Sequence, residues 1–509
     1  MDIKMLEPDT VTVPTVERAG TPRLPVIAGL FCAVVIGLLA GVNTGIALGF
    51  AASVILLSLV VMHPNPMMLI PSLVLLSIFI EKAFQPLSIS IGGKEVVNFN
   101  GIVNLCLIGA TAFYVAMKRI RPAQSMLTKV FVVYLLAAAL SLAVTENVFM
   151  TIKSLVRISA AYCIYLMFTQ FLTEKRQIDR TFYILVAVSA IPIAVGLYQI
   201  AFTSHFALSR QMRTYGTLKN GMSYAMYLAL ILPYVAGQIF FSNARLAKKF
   251  LLIVLFLAGM VNLFYTDTRI GWGVFVVGMI LYAAMSSARK LLPTIVVLTT
   301  AAVLAFFPFF YRSFGGLLKT DWRTYLSEDV SWYGKSQSYI AASSLHIRVF
   351  VWRHMLIELS KHNLLLGAGS GTWYDNYDKE EIGFRIASHN DYLEVFFGTG
   401  LIGLAAYLMF RIRQLTVLAG FTRSGIDPGI KRMVLFPCLA THIACIGMSM
   451  TEVWQAYDGI YWLSWITIAI SESYYRWYRT HEQQVAEEEP ESGDVPEWGG
   501  ASWDKTDPL

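Results

Sequence analysis

Charge is scarce in this chain: Asp, Glu, Lys and Arg make up 14% of its 509 residues, against roughly 25% in water-soluble proteins. Cysteine is scarcer still. Cys32, Cys106, Cys163, Cys438 and Cys445 each lie inside an apolar run, with no CxxC or His/Cys metal spacing. A disulfide scaffold and a structural zinc site are thereby excluded, and the thiols read as small buried apolar groups. There is no Asp-x-Asp pair of the kind that holds a metal ion in nucleotide-sugar transferases; Asp375 and Asp378, in a polar stretch, read as solvated. The net charge of +7 does not describe a nucleic-acid binder either, because the basic residues are divided among short loops beside apolar segments. That distribution reports membrane topology.

What the chain has in excess is apolar surface: 56% hydrophobic residues and a mean hydropathy of +0.57. A water-soluble fold of this size could not bury it. A spanning helix needs roughly 20 mostly apolar residues. Fourteen such segments can be laid out, at 25–41, 44–62, 66–82, 101–117, 127–144, 150–172, 181–203, 222–242, 249–266, 270–286, 291–311, 391–410, 433–450 and 457–475. The expected fold is therefore an all-α integral membrane protein with about fourteen spans, and no fewer than twelve.

Lys118, Arg119 and Arg121 fall in one alternate loop, and Lys175, Arg176 and Arg180 in the next. Arg245, Lys248 and Lys249, then Arg289 and Lys290, and finally Arg411, Arg413, Arg423, Lys431 and Arg432 continue the series. The positive-inside rule makes these loops cytoplasmic, with both termini on the same side. The expected organisation is a cytoplasmic tail at 1–24, eleven spans over 25–311, one long outer loop at 312–390, three spans over 391–475 and an acidic, disordered cytoplasmic tail at 476–509.

The outer loop holds an amphipathic stretch from Leu345 to Leu366, with Leu345, Val349, Trp352, Leu356 and Leu359 on one face and Arg348 and Arg353 off it. Gly367-Ala368-Gly369-Ser370-Gly371 stops it. The loop re-enters the apolar region at Ser388-His389-Asn390-Asp391. Asn390 or Asp391 is a natural helix N-cap, and His389 sits at the boundary, where a group titrating near neutrality can act as a base. Arg213 and Arg269 lie on the outer side, where the charge rule does not call for them; Arg269 has a possible ion-pair partner in Asp267. Lys153 and Arg157, one helical turn apart, either line a cavity or reach out to the interface. Arginine holds a diphosphate through two parallel hydrogen bonds better than any other side chain. Several outward arginines with one histidine thus describe a site for an anionic lipid headgroup and a proton acceptor.

Ser388-His389-Asn390-Asp391-Tyr392-Leu393, followed by Gly398-Thr399-Gly400-Leu401-Ile402-Gly403-Leu404, resembles the "HN-x-x-L…x-G-x-x-G" signature of the O-antigen ligase and polymerase superfamily. Arg348…Trp352 with Leu366-Gly367-Ala368-Gly369 is similar to that family's "R…W…LLG-x-G" stretch. Arg213-Thr214-Tyr215-Gly216-Thr217 with Asn220 looks like its "R-x-x-G-T…N" element, and Thr268-Arg269-Ile270-Gly271 like its "S-R-x-x" element, with Thr268 where serine is common. The resemblance implies a glycosyltransferase of the bacterial inner membrane, with its active site on the periplasmic face and no metal or other cofactor. The implied donor is an undecaprenyl-diphosphate-linked oligosaccharide. The acceptor is another lipid-linked glycan for a polymerase, the favoured reading, or lipid A–core for a ligase. Membrane lipid and other polysaccharide-assembly proteins are the further partners; nucleic acid is not. Carried over by position, Arg213, Arg269 and Arg348 would bind diphosphate or substrate and His389 would be catalytic, with Lys153, Arg157 and Asn390 in support. A transporter of lipid-linked oligosaccharide, which would need ionisable residues at mid-span depth, is the alternative from another class.

Overall fold

The structure is a computed structural model, and it describes residues 89–91, 94–97, 99–202, 213–218, 220–286, 344–373 and 387–488. The described residues are helical apart from a two-stranded antiparallel hairpin, β1 (Ile89–Ile91) and β2 (Lys94–Val97), in which Ser90 faces Glu95. The helices are α1 (Phe99–Ala116), α2 (Thr128–Leu140), α3 (Val148–Phe171), α4 (Lys175–Phe202), α5 (Gly221–Phe241), α6 (Leu246–Tyr265), α7 (Arg269–Ser286), α8 (Ser344–Leu359), α9 (Asp391–Arg423), α10 (Pro428–Met448) and α11 (Asp458–Glu488). Seven of these, α3 to α7 with α9 and α10, are long and apolar enough to cross a membrane. The chain is a multi-pass helical membrane protein. The expected spans at 25–41, 44–62, 66–82 and 291–311 lie outside the described residues.

Helix α5 is apolar on all sides and forms the centre: every residue from Ser223 to Gln238 is buried. Helices α4, α6, α7, α10 and α11 pack around it. Helix α7 approaches closely because Gly271 faces it. A Cβ at Gly271 would stand 2.4 Å from that of Ala225, the small-residue contact by which membrane helices dock. That contact sets Arg269, the first residue of α7, beside the start of α5.

Helix α9 departs from the span expected at 391–410. It runs on to Arg423 and is broken at Gly400, whose φ is +63°. The ring centroids of Tyr392 and Tyr407 are 5.9 Å apart, whereas fifteen residues of straight helix would separate their backbones by about 22 Å. Such a break orphans backbone groups on both sides, and the loop after α8 satisfies them. Leu401 N and Ile402 N donate to Leu364 O and Leu365 O (3.0 and 3.2 Å), while Ala368 N and Gly369 N donate to Phe397 O and Gly398 O (both 2.9 Å).

Three other expectations need correction. Helix α8 ends at Leu359 rather than Leu366, because Asn363 Oδ1 accepts from Leu365 N and Leu366 N and turns the chain. Its buried face is Val351, Met355 and Leu359, packed on Ala368, Trp373 and Phe397, while Leu356 is exposed. Arg411 and Arg413 belong to helix α9 and not to a loop; Arg411 is buried, with Nε donating to Tyr407 Oη (2.9 Å) and Nη1 to Gln414 Oε1 (3.1 Å). The segment from 476 to 488, read as part of a disordered tail, continues α11. Arg479 and Glu482, paired at 3.1 Å one turn apart, support it.

Candidate functional site

The site is assembled where α9 begins. Asn390 Oδ1 accepts from Leu393 N at 3.0 Å and caps the helix. That bond occupies the side chain, so Asn390 fixes the turn. His389, just before the cap, has φ +48°, a left-handed conformation sparsely used by non-glycine residues and concentrated at functional sites. Trp352 of α8 holds the preceding peptide, its Nε1 donating to Ser388 O at 2.7 Å. The sequence motif joining a tryptophan to the histidine segment is thus one hydrogen bond between the loop helix and the turn.

His389 Nδ1 lies 3.0 Å from Glu452 Oε2 and 3.1 Å from Oε1. An ionised carboxylate can only accept, so Nδ1 carries the hydrogen, and in the neutral ring Nε2 is then the acceptor. Glu452, between α10 and α11, is 2% exposed at its side chain, against 29% for His389. Two further groups support the carboxylate: Tyr457 donates its hydroxyl to Oε1 at 3.2 Å, and Arg348 Nη2 stands 3.9 Å from Oε2. Burial and the Glu452 charge raise the Tyr457 hydroxyl well above the usual tyrosine range, so it stays a donor. Burial lowers the Arg348 guanidinium, and Glu452 opposes that shift. A buried carboxylate that orients an imidazole through one ring nitrogen, leaving the other without a role in that contact, is an arrangement compatible with a general base.

The arginines close the other side. Arg269 is within electrostatic reach of Asp267, Arg348 and Arg213, and Arg213 Nη2 is 3.8 Å from Asp267 Oδ2. Arg213 and Asp267 are each about half exposed. Backbone bonds hold the Arg213 segment. Thr214 N donates to Tyr265 O (3.1 Å), and Tyr215 N and Gly216 N both donate to Gln199 Oε1 (3.1 and 3.0 Å). Asn220 and Ser223 form a capping box at the start of α5. Arg213, Arg269, Arg348 and His389, from four separate segments, are therefore gathered in one region.

Arg157 makes its ion pair elsewhere. Arg157 Nε pairs with Asp458 Oδ1 at 2.9 Å, and Asn100 Nδ2 donates to Asp458 Oδ2 at 3.2 Å, tying α1, α3 and α11 together. Arg157 also lies within electrostatic reach of Glu394, which is hydrogen-bonded to Ser388. Its effect on His389 therefore runs through the neighbouring turn. Lys153, on the same helix, is half-buried.

Sequence reasoning missed Glu452 and Tyr457. The available signal was an acid in the short link between the last two spans, on the same side as His389. Glycine was seen as a stop but not as a packing requirement. A Cβ at Gly367 would come within 2.5 Å of the Gly398 carbonyl carbon, and one at Gly369 within 2.1 Å of Thr145 Oγ1. Ser370, which follows Gly369, bonds Ser154 Oγ (2.9 Å) and Ser141 Oγ (3.1 Å). The glycine-rich segment is thus the seam joining α8, α9 and the start of α3.

No curated protein matches the chain. The family model described as O-antigen ligase matches residues 251–408. The match takes in Arg269, Arg348, His389 and the broken helix, and leaves Arg213 and Glu452 outside it. That match, over residues 251–408, supports the likeness to the O-antigen ligase/polymerase superfamily.

Proposed function

We propose that the protein is a membrane glycosyltransferase using undecaprenyl-diphosphate-linked glycan on the periplasmic face of the bacterial inner membrane. Polymerisation in O-antigen or exopolysaccharide synthesis is the favoured reaction, and transfer to lipid A–core by the same site is the alternative. The observation that carries this reading is the His389–Glu452 pair beside Arg348, with Arg269 and Arg213 next in line.

The acceptor hydroxyl oxygen attacks the anomeric carbon of the donor while its proton passes to His389 Nε2. The new carbon–oxygen bond forms as the bond to the diphosphate breaks, with inversion. The electron pair leaves on the diphosphate oxygen, where Arg213 and Arg269 meet the developing charge, and Arg348 links that group to Glu452. Fixed cations of this kind act where charge develops and need no reorganisation during the reaction. The reaction as written draws on no metal ion, so EDTA is expected to leave the rate unchanged; a rate lost to EDTA and restored by a divalent cation would refute the metal-free form.

Arg411 and Glu472 are ionisable groups inside helices, a feature the transporter alternative requires. Both are committed to internal bonds, Arg411 to Tyr407 and Gln414, and Glu472 to the Tyr165 hydroxyl and Met126 N. They read as ties between helices and do not line an open path.

The test uses the full chain in nanodiscs with undecaprenyl-diphosphate-linked oligosaccharide, alone or with lipid A–core. A ladder of longer lipid-linked glycan supports the polymerase; product only with lipid A–core supports the ligase. No transfer to either acceptor, with the native repeat unit supplied, overturns the proposal. Arg269→Ala is expected to lower the rate by about 10²–10³, with Arg269→Lys recovering part of it. Equal rates for wild type and Arg269→Ala would remove Arg269 from the site.

A further inference from the structure

We propose that the groove between α2 and α9, at the end of the bundle away from His389, binds an anionic glycerophospholipid. One acyl chain lies in the groove, and the phosphate is held by Arg413 and Lys129. The groove is shallow and open along one side, with about 510 Å³ of accessible space. Ala405, Leu408, Met409 and Ile412 line one wall at i, i+3, i+4 and i+7, and Val130 of α2 stands opposite. All four α9 residues are exposed, Ile412 by 64%. This trough is a membrane-facing stripe, shaped for a hydrocarbon chain.

The two cations give the occupant its headgroup. Helices α2 and α9 run antiparallel, with Tyr134 against Tyr407 and Phe131 against Phe410 (centroids 5.3 and 6.0 Å apart). Continuing that register sets Lys129 level with Ile412 and Arg413. Arg413 lines the groove, both cations are exposed, and neither has an ion-pair partner among the described residues. Arg411, two residues away, faces inward and spends its hydrogen bonds on protein. Arg413 is not a loop residue, since α9 continues to Arg423. An arginine on the membrane face of a helix is costly unless an anionic group meets it, and paired basic side chains beside an interhelical groove are a recognition pattern for acidic lipid headgroups.

The lining of the groove includes none of Arg213, Arg269, Arg348 and His389, so the groove is distinct from the residues proposed to meet the donor lipid's diphosphate. The inference is independent of the proposed reaction.

The test is native mass spectrometry of the full chain in detergent, titrated with phosphatidylglycerol or with phosphatidylcholine of the same acyl chains. Wild type is expected to prefer phosphatidylglycerol on the order of 10–30-fold, from two basic groups at the membrane surface. Lys129→Gln/Arg413→Gln is expected to lose the preference. Ala405→Trp, which fills the trough and keeps both charges, is expected to lose the adduct. Equal retention of the two lipids by wild type, or a preference that survives the double substitution, overturns the proposal. So does displacement of phosphatidylglycerol by an equimolar amount of undecaprenyl phosphate, which would assign the groove to a polyprenyl chain.

Discussion

Replacing His389 with alanine is expected to lower glycan transfer by about 10²–10⁴, the contribution of a positioned general base. The expectation rests on geometry. The Nδ1 edge is held by a carboxylate that is itself fixed by Tyr457 and Arg348, so Nε2 is presented as an acceptor in one orientation. Glu452→Gln keeps the shape and removes the charge that selects this tautomer, so it is expected to lose most of the same factor. The decisive measurement is the double variant. If the two residues act as one unit, His389→Ala/Glu452→Gln transfers glycan no more slowly than His389→Ala alone, because functional units are strongly non-additive. Losses that multiply would mean that Glu452 acts elsewhere. A His389→Ala protein as fast as wild type would end the catalytic assignment altogether.

Gly400→Val is expected to remove activity and to lower the melting transition, without altering any group that meets substrate. A side chain at Gly400 would place its Cβ 2.3 Å from the Leu365 carbonyl. The backbone there has φ +63° and ψ −162°, a region essentially only glycine adopts and that costs another residue about 1–3 kcal/mol, and the overpacked seam adds a further ~1–3 kcal/mol. Relief of that strain requires the loop to move away from α9, which takes α8, Arg348 and Trp352 with it. Gly420→Ala, in the same helix but with open space around its Cβ, is the control. It is expected to be neutral or stabilising by up to ~1 kcal/mol. Unfolding followed by intrinsic fluorescence, beside transfer rates, separates the two. Equal melting and equal activity for Gly400→Val and wild type would show that the seam does not hold the site.

The two substitutions mark where reading the sequence stops. Asn390 was legible as a cap because capping is local: an amide side chain meets a backbone N–H three residues on. Helices α3 to α7 and α10 were legible because hydropathy adds up along one segment, whatever its neighbours do. His389, Arg213, Arg269 and Arg348 were legible as candidates because polar groups beside apolar runs are costly to keep without a task. Glu452 was not, because its meaning lies in a partner 63 residues away. For the same reason Arg411 read as a loop cation: composition counts a charge but does not say whether a tyrosine and a glutamine wait for it inside the bundle. Arg157 could be read as lining a cavity or reaching the interface; its pairing with Asp458, on another helix, was not legible.

The sequence by itself determined the solvent this protein lives in, the positions of most described helices and the residue types available for chemistry. Those follow from transfer free energies and local backbone hydrogen bonding, which a single stretch of chain carries. Only the tertiary structure decided that α9 breaks at Gly400, which face of α8 is buried, and which carboxylate meets the His389 ring. Each of these depends on close approach between segments distant along the chain, at distances of 2–4 Å that no local pattern of residues encodes.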